Sequence, residues 1–187
     1  MHTMPHLPDG CSYVPEFLTA NEQQILLHEL ATLSFAHDSF RGQQLKRSYA
    51  QFGYAYASTG RKVKPAAPFP HFLTALTEKT APYTPEPALF NQCIITHYPK
   101  TAGIGWHTDA DRFGECIIAV SLGGSARLQF RPNGSTEVAA ELILTPGSLY
   151  VMTGPARWEY EHQVKPVKTD RYSLTFRHVL QGSPHAR

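Results

Sequence analysis

Between residues 89 and 180 the chain is a succession of short apolar stretches cut by turn residues, and that spacing constrains the fold more than any other feature. Apolar runs at 89–98, 116–122, 126–130, 138–144, 147–153 and 171–180 are punctuated by Pro99, Gly123-Gly124, Pro132-Asn133-Gly134, Pro146-Gly147 and Gly154-Pro155. Short strands spaced this way imply a sandwich or a barrel. With 104–109 and 160–164 included, about eight strands result, the number a jelly roll needs. Ahead of them, Thr19 or Asn21 can cap a helix over 22–33, where Ile25, Leu26, Leu30 and Leu33 recur at helical spacing. Phe69, Phe72, Leu73 and Leu76 mark a second helix at 69–80. The expected class is mainly β with flanking helices (α+β).

A length of 187 residues, 42% hydrophobic and 17% charged, fits one globular domain. Residues 1–12 and 181–187 read as flexible ends around a folded unit at 13–180. The formal charge of +2 neither demands nor excludes a nucleic-acid partner. Cys11, Cys93 and Cys116 form no CxxC pair, so a zinc ribbon or a disulfide framework is not expected, and Cys93 and Cys116 read as small core residues. No secretory signal or membrane-length apolar run is read. A monomer in the cytoplasm, or in the nucleus and cytoplasm of a eukaryote, is the expectation.

The residues that carry chemistry lie in the second half. Ten histidines and five aspartates in this length give about 0.3 His-x-Asp matches by chance, so His107-Thr108-Asp109 weighs little alone. In a strand, residues two apart point the same way, which would let His107 and Asp109 reach one ion. His162 follows after enough chain for several strands to return it beside them. Two imidazoles and a carboxylate are the ligand set of an open iron(II) site that works with molecular oxygen. Gly103 and Gly105 suit a close approach of backbone there.

Arg171-Tyr-Ser-Leu-Thr-Phe-Arg177 alternates strictly. Arg171, Ser173, Thr175 and Arg177 share one face, and Tyr172, Leu174 and Phe176 share the other. The polar face is either solvated or turned inward to line a pocket. An arginine beside an iron site has a purpose there, because its fork holds the carboxylate of a 2-oxo-acid.

These pieces resemble the AlkB-like iron(II)/2-oxoglutarate dioxygenases over residues 13–180. The matching segments are Tyr13–Leu18, Tyr54-Ala-Tyr-Ala-Ser58, Tyr98-Pro99, His107-Thr-Asp109, Ser121-Leu-Gly123, Gly147–Gly154, His162 and the two-arginine ending. The resemblance implies a double-stranded β-helix with N-terminal helices and a substrate lid at 39–65. It implies His107, Asp109 and His162 as iron ligands, with Fe(II), 2-oxoglutarate and O2 as the cofactor set. Arg171 would take the distal carboxylate of 2-oxoglutarate, Tyr98 would donate to the cosubstrate, and Arg177 would sit beside the cosubstrate and the ligands. The family's repair enzyme has Asn where this chain has Thr96 and Ser173, and both of these still form hydrogen bonds.

Residues 39–77 hold no Asp or Glu but carry Arg41, Lys46, Arg47, Arg61, Lys62 and Lys64 among Phe40, Tyr49, Phe52, Tyr54 and Tyr56. Cations for phosphates beside rings for stacking suit a nucleic-acid strand. Asp111 matches an acidic position that faces the base in the repair enzyme, and Trp106 either borders the pocket or packs in the core. Tyr54, Tyr56, Arg47 and Arg61 complete the candidate substrate set. The leading expectation is oxidative demethylation of alkylated bases in DNA or RNA. The alternatives are oxidation of a protein side chain or small molecule on the same scaffold, and a metal-binding jelly roll without turnover.

Overall fold

The computed structural model describes residues 6–40, 42–57, 62–84 and 90–180. Arg41, Ser58, Arg61 and the 181–187 segment therefore lie outside the described residues.

The first helix, α1, spans Ala20–Ala31. Thr19 caps it: its hydroxyl accepts from the Glu22 amide at 3.2 Å while Glu22 accepts from the Thr19 amide at 2.7 Å. This reciprocal box satisfies two otherwise orphaned donors. Leu26 and Leu30 are buried, whereas Ile25 stays exposed, contrary to its place in the expected apolar stripe. The second helix, α2, spans His71–Thr80 and buries Leu73 and Leu76; an ion pair from Lys79 to Glu22 ties the two helices. A five-residue helix, α3, covers Gly154–Trp158.

The strands in chain order are β1 Cys11–Val14, β2 Ala36–Phe40, β3 Gln43–Phe52, β4 Tyr54–Ala57, β5 Lys62–Pro65, β6 Gln92–Tyr98, β7 Ile104–His107, β8 Ile117–Gly123, β9 Ala126–Pro132, β10 Ala140–Leu144, β11 Leu149–Met152, β12 Tyr160–Val164 and β13 Arg171–Arg177. They form a major sheet in the order β1-β11-β8-β13-β6-β3-β2, a minor sheet β10-β9-β12-β7, and a β4-β5 ribbon. Two facing antiparallel sheets with helices on one outer side are the expected jelly roll.

Two expectations fail here. β1 starts at Cys11, which pairs with Met152, so ordered chain begins before residue 13. Five strands, β1 to β5, also precede residue 89. Of these β3 is a full member of the major sheet, paired with β6, although the sequence placed its residues in the lid.

The major sheet separates two cores. On its outer side Ile95, Ile118, Val120, Leu122, Leu174 and Phe176 pack with Leu26, Leu30, Leu73 and Leu76 of the helices. Between the sheets lie Phe113, Leu128, Phe130, Leu142, Met152 and Val164. Alternation then turns a polar face inward from three adjacent strands: Arg47, Tyr49 and Gln51 of β3; Ile94, Thr96 and Tyr98 of β6; and Arg171, Ser173, Thr175 and Arg177 of β13. A cavity of about 200 Å³ opens on that face.

Candidate active site

His107 and His162 are direct partners across the β12–β7 ladder, with ring centroids 4.3 Å apart. A register shift follows, because Ile104 of β7 faces Val164 of β12: three residues of one strand are matched to two of the other. This bulge brings both Ile104 and His107 to the cavity wall. Gly103 permits it, since a Cβ there would lie 2.6 Å from the Val164 carbonyl oxygen; at Gly105 a Cβ would meet open space, so only the first glycine is required.

β7 ends at His107, and Asp109 stands in the loop that follows. Strand alternation is thus not what brings Asp109 to the histidines. Even so, His107, Asp109 and His162 offer one ligand atom each, all within 4.8 Å of one another, a group that could hold a metal ion. The His107 Nδ1 lies 2.8 Å from the Gly105 carbonyl, which leaves Nε2 as the atom it could offer a metal.

Electrostatics keep Asp109 ionised and His162 neutral. Burial would raise the Asp109 carboxyl, but Arg177 and the two imidazoles outweigh it and hold the pKa at about 2. Burial, with His107 beside it, lowers His162 to about 3. The 3.5 Å approach of His162 Nε2 to Asp109 Oδ2 therefore joins a neutral imidazole to a carboxylate and is not an ion pair.

Arg171 is 1% exposed and faces the cavity from the centre of the major sheet. Its Nε donates to Ser121 Oγ at 2.9 Å, and its guanidinium lies 5.2 Å from the centre of the Tyr98 ring. Its Nη1 is buried without a hydrogen-bond partner among the described residues. A buried guanidinium N–H left unpaired is costly, and an anionic ligand is the natural remedy. Burial raises the phenols of Tyr98 and Tyr150, so both remain proton donors at neutral pH. This chain therefore fits a metal held by the His-Asp-His set and a carboxylate ligand held at Arg171.

Of the substrate candidates, Tyr56 and Arg47 line the cavity, as do Thr96, Ser173 and Arg177 of the cosubstrate set. Asp111 is exposed and not among the lining residues, because the chain has left the strand before it and alternation no longer applies. Trp106, next to the inward-facing His107 on the strand, faces away from the cavity, with the Arg131 guanidinium 4.4 Å from its ring centre. Tyr54 packs against the inter-sheet core and does not line the cavity. Arg61 lies outside the described residues. The site also contains residues the sequence did not single out for it: Tyr150, Ser121, Gln51, and Asp38 on β2, whose carboxylate accepts from Tyr49 at 3.1 Å.

The model of a family described as the 2OG-Fe(II) oxygenase superfamily matches residues 10–177. The chain belongs to that superfamily. Within the 2OG-Fe(II) oxygenases its relatives are AlkB homologues. It is 29% identical over 171 residues to the mouse (Mus musculus) tRNA (carboxymethyluridine(34)-5-O)-methyltransferase ALKBH8, covering 88% of this chain and 25% of that protein. It is 26% identical over 187 residues to the Arabidopsis thaliana alkylated DNA repair protein ALKBH8 homolog, covering 87% of this chain and 52% of that one. The chain thus spans between a quarter and about half of these curated relatives. The structure of OsALKBH1 shares the fold, with a TM-score of 0.74 at 19% identity, covering 92% of this chain and 98% of that chain. The family's cofactors are Fe(II), 2-oxoglutarate and O2, which the donor set accommodates. No helix among the described residues is long and apolar enough to cross a membrane.

Proposed function

We propose that this protein is an Fe(II)- and 2-oxoglutarate-dependent oxygenase that removes methyl groups from alkylated bases in DNA or RNA. The observation that carries the reading is the unpaired Nη1 of Arg171, buried in the same cavity as the His107, Asp109 and His162 ligand atoms.

In this reading His107 Nε2, the Asp109 carboxylate and His162 would hold the iron. Arg171 binds the distal carboxylate of 2-oxoglutarate by charge-assisted hydrogen bonds. Tyr98, Thr96 and Ser173 supply hydrogen-bonding groups along the same wall. Arg177 keeps Asp109 ionised and oriented. With 2-oxoglutarate and O2, the bound iron supplies the oxidising power that hydroxylates a C–H bond and yields succinate and carbon dioxide. An N-methyl group hydroxylated on its carbon is a hemiaminal, which loses formaldehyde as the C–N bond breaks. The role of the chain is to position the substrate methyl and exclude water.

The nucleic-acid part of the proposal draws on the cavity walls. Tyr49 and Tyr56 offer ring faces for a base, and Arg47 offers a cation for a phosphate. Asp38, rather than Asp111, is the carboxylate there besides Asp109, and it can accept from an exocyclic amino group or face a cationic methylated base. The relatives' names refer to tRNA and to alkylated DNA.

The test is a panel of methylated DNA and RNA oligonucleotides scored for formaldehyde and succinate. Formaldehyde that requires both Fe(II) and 2-oxoglutarate is expected. Succinate released without response to any oligonucleotide would move the substrate to a protein side chain or small molecule. No succinate under any condition would leave a metal-binding module without turnover.

A further inference from the structure

Asp109 has no strand to hold it, yet its backbone is fixed from behind by Arg157 on α3. Arg157 is 3% exposed. Its Nη1 donates to the Asp109 carbonyl at 3.1 Å, its Nη2 to those of Ala110 and Phe113 at 2.7 and 3.1 Å, and its Nε to that of Gly114 at 3.3 Å. Four carbonyls of one six-residue loop thus converge on a single guanidinium. The guanidinium is also stacked 3.9 Å from the centre of the Trp158 ring. A second strap runs the opposite way: Glu115, at the end of the loop, accepts from the Trp158 indole N–H at 2.8 Å and from the Gly154 amide at 3.2 Å.

We infer that Arg157, secured by Glu115, is a positioning residue for the metal centre. It touches neither ligand side chains nor substrate. It sets where the Asp109 carboxylate stands relative to His162, because α3 leads directly into the strand that carries His162. Carbonyls that a loop turns toward the interior need partners, and only a planar fork can meet four of them at once. A lysine would bring the charge but not the fan of donors. The inference rests on the proposed ligand role of Asp109.

The experiment titrates Mn(II) into the metal-free full-length protein by calorimetry, alongside hydrogen exchange of the 109–115 amides. Groups that orient metal ligands from behind typically contribute about 10–100-fold in metal affinity. Arg157→Lys is expected to weaken Mn(II) binding within that range and to speed exchange at 109–115, with exchange in β8 and β13 unchanged. Glu115→Ala, at a more exposed position, is expected to change both readouts in the same direction by less, and it carries the test if the lysine variant fails to fold. Unchanged Mn(II) affinity in a folded Arg157→Lys protein, or, failing that variant, unchanged affinity and exchange in Glu115→Ala, would overturn the inference. Wild-type protein that binds no Mn(II) would instead refute the ligand assignment beneath it.

Discussion

The Arg177 Nη1 lies 3.2 Å from Asp109 Oδ1, and the same guanidinium rests 4.1 Å from the centre of the Phe113 ring. One residue from the last strand thus grips both the carboxylate of the ligand set and the loop that carries it. On the far side of Phe113, the Tyr56 ring meets it edge-on at 5.2 Å. Strand β4, the loop and the Asp109 carboxylate are thus linked through one run of contacts.

Removing that cation leaves a buried carboxylate unpaired. Breaking one partner of a buried pair costs about 3–5 kcal/mol. Arg177→Met is expected to lower the stability of metal-free protein by that order in urea denaturation. With its main counter-charge gone, burial raises the Asp109 pKa, so Mn(II) binding in this variant is lost at a higher pH than in wild type. Wild-type stability in Arg177→Met would contradict the pairing.

Arg171 behaves in the opposite way. Its buried Nη1 is unpaired, so the charge contributes little to the ligand-free fold. Arg171→Met is expected to leave metal-free stability equal or higher while weakening 2-oxoglutarate binding by about 2–5 kcal/mol, the cost of truncating a buried charged partner. Thermal unfolding and 2-oxoglutarate titration of the same samples check both halves. A variant that loses stability but keeps 2-oxoglutarate affinity would show that Arg171 is structural.

The pH response follows from His162. Its pKa is about 3 in the folded protein against an ordinary 6.5, so below pH 6.5 the unfolded chain takes up a proton that the folded chain refuses. Stability of metal-free protein therefore falls as pH drops from 6.5 towards 3, with this group contributing up to about 1.4 kcal/mol per pH unit. Asp109 adds the same sign lower down, its contribution present above 3.8 and lost as pH falls towards 2. Chemical denaturation at stepped pH should show a flatter slope between pH 6.5 and 4 for His162→Gln. An identical slope in the two proteins would count against a buried neutral imidazole.

Gln51 ties down β4. Its Oε1 accepts from the Tyr56 amide at 2.8 Å and its Nε2 donates to the Tyr56 carbonyl at 3.3 Å, while Gln92 donates to that Oε1 at 3.3 Å. Each such bond contributes about 0.5–1.5 kcal/mol. Gln51→Leu is expected to speed hydrogen exchange at 54–57 and raise the KM for oligonucleotide, with 2-oxoglutarate affinity kept. Slow exchange in that variant would show the strand to be held by something else.

Much of this was legible before any coordinates. The strands after residue 89, the polar face of Arg171–Arg177 and the capped first helix follow from local periodicity, and the structure has them within a few residues. The family emerged from ordered motifs. What local pattern missed has physical causes. β3 alternates, but its inner residues Arg47, Tyr49 and Gln51 line a polar cavity, so the strand lacks the apolar face that marks a half-buried strand. Asp109 meets the histidines through a loop held by Arg157 and not by strand alternation, and the same departure from the strand removes Asp111 from the cavity. Trp106 turns outward because it neighbours the inward-facing His107 on an alternating strand, whereas Ile104 reaches the cavity only through a bulge that one sequence does not reveal. Asp38 belongs to no short motif, and the partners of Arg157 lie more than 40 positions away and become its neighbours only through the fold.

The most direct test of the central claim is an anaerobic crystal structure with Mn(II) and 2-oxoglutarate. The expected result is one ion bound by His107, Asp109 and His162, with the distal carboxylate of 2-oxoglutarate on the Arg171 guanidinium. An ion bound without all three side chains, or a cosubstrate anchored away from Arg171, would contradict the account.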